Sequence, residues 1–75
     1  MTLQQIQEVS ELVYKVNHGK SRAMFTQGKH SFWISIFRDA DGKTIMQNGV
    51  ETCIQFDDYT SIITELTKMI QKMEA

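Results

Sequence analysis

The sequence predicts an α+β domain: an N-terminal helix, a three- or four-stranded antiparallel sheet and a C-terminal helix, with both helices on one sheet face. Three observations predict it. Apolar residues recur at three- and four-residue steps near both ends, as on the buried stripe of a helix. Between these segments the period changes to two, with large apolar side chains at alternate positions. Turn-forming clusters, "GKH", "RDADGK" and "NG", cut that middle region into short strands. With 75 residues and no linker, low-complexity run or internal repeat, the chain reads as one domain, 1–75.

Thr2 and Gln5 match a capping box, in which the threonine oxygen accepts a free backbone N–H and the glutamine reaches back. Leu3, Ile6, Val9, Leu12, Val13 and Val16 then form one apolar stripe. "NHG" ends the helix, with Gly19 expected in the left-handed conformation that closes many helices. "SRAMFTQ" and "SFWISIF" read as a hairpin around "GKH". "TIMQNGVETCIQF" carries Asn48-Gly49, the strongest short-range signal for a type I′ turn, so the strand count depends on whether "TIMQ" pairs. The last helix, "DDYTSIITELTKMIQKMEA", is capped by Asp57 or Asp58 and buries Tyr59, Ile62, Ile63, Leu66, Met69, Ile70 and Met73.

In "HSFWISIFRD", Phe32, Ile34 and Ile36 point to one face while Trp33, Ser35 and Phe37 point to the other. Two helices on one side leave the second face bare. Cys53, Gln55 and Glu51 are expected there, with either Arg22, Met24 and Thr26 or Ala23, Phe25 and Gln27 from the first strand. The formal net charge is -1, which argues against a general polyanion binder. The charge is nonetheless uneven: Lys20, Arg22, Lys29, Arg38 and Lys43 outweigh Asp39 and Asp41 in the middle, while the rest is acidic.

Motifs for chemistry fail on spacing. "DGKT" lacks the phosphate loop's first glycine, whose position is Phe37, and leads into a strand. "DADG" places its glycine fourth instead of sixth and has Val50 where a calcium loop needs its bidentate glutamate. Cys53, His18 and His30 lack zinc-ligand spacing, and the scattered carboxylates form no acid/base pair. Cys53 is expected to be a small buried residue inside a strand, and both histidines to lie in solvent beside turns. No catalytic, cofactor or metal site is expected. The lone cysteine excludes an internal disulfide and suits a reducing cytoplasm; no segment resembles an export signal or a membrane span.

The element order resembles that of the double-stranded-RNA-binding domain family. That family docks phosphates with lysines at the start of its last helix, and Asp57 and Asp58 stand at the matching positions. The span from "GKHSFWISIFRDADGK" onward resembles the single-stranded-DNA-binding transcriptional coactivator family, whose strands run into a dimerising helix.

The expected function is therefore a small non-enzymatic protein-binding module, an adaptor, accessory or inhibitor, acting through the open sheet face or an edge strand. Homodimerisation is expected because so small a core gains stability from a partner copy. The alternative is single-stranded nucleic-acid binding, with bases stacked on Trp33 and Phe37 and phosphates met by Lys20, Arg22, Lys29, Arg38 and Lys43.

Overall fold

The computed structural model describes residues 1–74; the predicted last helix extends to Ala75, which lies outside the described residues. Helix α1 spans Leu3–His18 and α2 spans Tyr59–Glu74. Between them lie β1 (Arg22–Gln27), β2 (Phe32–Arg38), β3 (Met46–Gln47), β4 (Val50–Glu51) and β5 (Ile54–Phe56). The strands form an antiparallel three-stranded sheet, ordered β1-β2-β5, and a separate two-stranded ribbon of β3 and β4. "TIMQ" thus pairs only with the strand that follows its turn. Asn48 and Gly49 both take positive φ, 53° and 78°, as a type I′ turn requires.

Both helices pack on one sheet face. Val9 and Val16 of α1 and Ile62, Leu66 and Met69 of α2 share a buried cluster with Ala23, Ile34 and Ile36. The cross-strand pairs Ala23↔Ile36, Phe25↔Ile34, Ile34↔Phe56 and Ile36↔Ile54 place all these strand residues on the inner face. The ambiguous register of β1 resolves accordingly: Ala23 and Phe25 point inward, and Met24 and Thr26 point outward.

The helix ends follow the sequence closely at three of four positions. Thr2 Oγ1 accepts the Gln5 N–H at 3.2 Å and Gln5 Oε1 accepts the Thr2 N–H at 2.9 Å, completing the capping box. Asp58, not Asp57, caps α2 by accepting the Ser61 N–H at 2.9 Å. That bond holds the Asp58 carboxyl below its ordinary pKa. Gly19 departs from expectation, with φ -93° in place of a left-handed value. Its lack of a side chain serves packing instead, because a Cβ there would collide with the terminal methyl of Met73. Leu3 also departs: the first turn of α1 projects past the core and leaves it 71% exposed.

Asn17, in the last turn of α1, makes a bond pattern that no periodicity announces. Its Nδ2 donates to the Ala23 carbonyl and its Oδ1 accepts the Ala23 N–H, both at 2.9 Å. The side-chain amide stands where a neighbouring strand would be, on the free edge of β1.

Candidate functional site

The outer sheet face consists of three cross-strand rows. Thr26 lies opposite Trp33; Met24, Ser35 and Gln55 form the central row; Arg22 faces the end of β2 at Phe37 and Arg38. Neither helix covers this face. Met24 is 52% exposed, and Trp33 and Phe37 are half-buried. Ser35 alone is buried there, flanked by Met24 and Gln55, with Gln55 Nε2 donating to its Oγ at 3.2 Å.

The register shifts by one residue between Arg22 and Ala23, so Arg22 opposes Arg38 while Ala23 opposes Ile36. Phe37 is the extra residue of this bulge, which breaks strict alternation and re-aims the strand end. As a result Phe37 and Arg38 line one cleft together, with the Arg22 guanidinium 6.0 Å from the Phe37 ring centroid. The cleft, about 390 Å³ and open to solvent, is completed by Thr44, Glu51, Thr52 and Cys53.

The ribbon reaches this place through the loop after β2. The Asp39 carboxylate accepts the N–H groups of Lys43 and Asp41, both at 2.9 Å, and these bonds hold its carboxyl below its ordinary pKa. Gly42 completes the turn at φ 84°. A bridge between Arg38 and Thr44, and donation from the Ile45 N–H to the Phe37 carbonyl at 2.9 Å, then bring the chain alongside β2.

The seven residues singled out by sequence fall into two groups. Phe37, Arg22, Arg38, Lys20 and Lys43 lie toward one end of the sheet, Lys20 packing beside Gly42 and Lys43 projecting from the Asp39 turn. Lys29, in the β1–β2 turn, and Trp33, near the start of β2, lie toward the other. Four residues of extended chain separate Trp33 from Phe37 by about 13 Å, so the two rings do not form one stacking platform.

Sequence reasoning missed the contribution of the ribbon: Thr44, Glu51, Thr52 and Cys53 reach the Phe37 end only because the Asn48-Gly49 turn sends the chain back beside Arg38. Cys53 is a correction, since it is half-buried and lies between β4 and β5, where the break from ribbon to sheet exposes it to the cleft. His18 and His30 are exposed as expected, and His18 Nε2 lies 3.3 Å from the Tyr14 hydroxyl on α1. Among the described residues, no three His, Cys, Asp or Glu side chains gather as a metal set, and no helix is long and apolar enough to cross a membrane. Comparison of the chain with protein-family models, curated proteins and solved structures finds no match.

Proposed function

We propose that the chain is a small protein-binding module whose contact surface is the outer face of the β1-β2-β5 sheet. The observation that carries this reading is the uncovered face itself: Met24, Trp33 and Phe37 offer apolar area to solvent in a fold with too few helices to cover both sides. The sheet edges are weaker candidates. Asn17 occupies the hydrogen-bonding groups of Ala23 on the β1 edge, and β5 has only three residues. A second copy docked face to face would set the cations at the two sheet ends against one another. The better occupant is a different protein, and self-association is an outcome of the test.

The test is to pan a random peptide library against the protein and compare the selected peptides on variants. Binding should fall at least tenfold in Met24→Lys, which places a charge at the centre of the face, and stay unchanged in Leu3→Lys on exposed α1. Peptides that bind Met24→Lys as tightly as wild type would refute the reading. Light scattering across a dilution series, followed with Trp33 emission, detects a dimer that shields the same face.

The second reading, single-stranded nucleic-acid binding, draws on Arg22 lying over Phe37 among Lys20, Arg38 and Lys43. It requires quenching of Trp33 by oligothymidylate at low salt that disappears at high salt.

A further inference from the structure

We propose that the cleft at the Phe37 end of the sheet is a carboxylate-binding site, in which Arg22 and Arg38 receive an acidic side chain of the partner protein. The proposal rests on the protein-binding reading above and names the chemistry that the partner brings.

The two arginines are held in a costly arrangement. Like charges directly opposite one another in a ladder destabilise a sheet, yet the bulge sets Arg22 against Arg38. No carboxylate among the described residues lies within ion-pair distance of either guanidinium; the ion pairs are Lys15 with Glu11 and Lys72 with Asp41. The acids of the adjacent turn are engaged elsewhere. Asp41 is 3.1 Å from Lys72 Nζ, and one oxygen of Asp39 is bound by two backbone N–H groups. The cationic pair is therefore uncompensated by the fold.

The cleft supplies the rest of a recognition site. Phe37 lies against the Arg22 guanidinium, an arrangement that leaves in-plane N–H groups free to donate to a planar anion. The Thr44 and Thr52 side chains add hydroxyl donors to the lining, and the volume of about 390 Å³ admits a side chain. Two arginines with Glu51 leave one net positive charge in the lining, which a single carboxylate neutralises. A nucleic-acid strand would need cations and rings in series, whereas Lys29 and Trp33 lie toward the other end of the sheet.

The test titrates the ¹⁵N-labelled protein with a blocked hexapeptide of alternating leucine and glutamate and with its glutamine counterpart. The acidic peptide should shift the amides of Phe37, Arg38, Thr44 and Thr52 and bind at least tenfold more tightly than the glutamine peptide. Arg22→Gln and Arg38→Gln should each weaken it about tenfold, and Lys29→Gln should leave it unchanged. Equal binding of both peptides on the sheet face overturns the carboxylate site while leaving the protein-binding face intact. Binding confined to the cleft, with Met24 and Trp33 unaffected and Met24→Lys without effect, supports the carboxylate site and counts against the wider face. Failure of both peptides to bind overturns the carboxylate site, and the library experiment then judges the face separately. Tighter binding of oligothymidylate than of the acidic peptide at the same residues also overturns it, in favour of phosphate.

Discussion

We predict that Asn17→Ala destabilises the fold by about 2–3 kcal/mol although residue 17 is itself exposed. The Asn17 amide makes two hydrogen bonds of 2.9 Å to Ala23, each with a net worth of about 1 kcal/mol. Ala23 is only 6% exposed, so its N–H and carbonyl cannot simply turn to bulk water, and an unsatisfied group costs about 1–3 kcal/mol. Alanine recovers about 0.5 kcal/mol of helix propensity in α1. A chain of 75 residues has a total stability of about 4–11 kcal/mol, so the loss is a large fraction of it. Urea unfolding followed by Trp33 emission reads the effect: with a slope of about 1 kcal/mol per molar, the midpoint should fall by about 2–3 M. Asn17→Asp should fare no better than alanine, because its second oxygen would face the Ala23 carbonyl. An alanine midpoint within about 0.5 M of wild type would refute the reasoning and mean that water replaces the amide at this edge.

Adjacent residues on opposite sheet faces should respond differently to truncation: Ile34→Ala, at a fully buried inner site, should cost about 2–5 kcal/mol. Trp33→Ala should cost less than Ile34→Ala despite removing a larger side chain, and the two melting curves compare them directly. Gly42→Ala should cost about 1–2 kcal/mol, since φ is 84° and the new Cβ would lie 2.9 Å from Lys20 Cβ; a midpoint equal to wild type would mean that the turn has an alternative conformation. Asp39 and Asp58 have folded pKa values below 3.8, so their stabilising bonds are intact above that pH and are lost as pH falls through the lower folded values. Asp39→Asn should flatten the acid limb of a plot of urea midpoint against pH. Tyr59 donates to the Glu8 carboxylate across the two helices, which raises the tyrosine pKa above 10.0. That contribution is complete below pH 10.0 and disappears as pH rises through the folded value, so Tyr59→Phe should flatten the alkaline limb.

The elements were legible where a local rule governs them. Thr2 with Gln5, Asn48 with Gly49 and the stripe through Ile62, Leu66 and Met69 each involve residues within a few positions of one another, so spacing identifies their geometry. The exposure of Leu3 and the conformation of Gly19 depend on contacts across the fold, the latter on Met73. The candidate site was legible in kind and incomplete in place. Alternation along β2 distinguished Trp33 and Phe37 from Ile34 and Ile36, but no pattern in "SRAMF" or "SIFRD" shows the bulge that brings Arg22 opposite Arg38. Nor does spacing reveal that Thr44 and Thr52 flank one cleft, because their approach depends on how the ribbon leaves β2.

The contact of Met73 with Gly19 has a consequence for synthesis. Met73 Sδ also lies 3.5 Å from Ser21 Oγ, so α2 meets the junction of α1 and β1 only in its last turn, more than fifty residues after that junction is made. A chain emerging from a ribosome first presents α1, then the β1-β2 hairpin, with Ile34 and Ile36 still lacking Ile62, Leu66 and Met69. At that stage both faces of β2 are open, one carrying Trp33 and Phe37 and the other the future core. Final docking must therefore wait for nearly the whole described chain, and a nascent chain stalled before α2 should be the species most dependent on a chaperone.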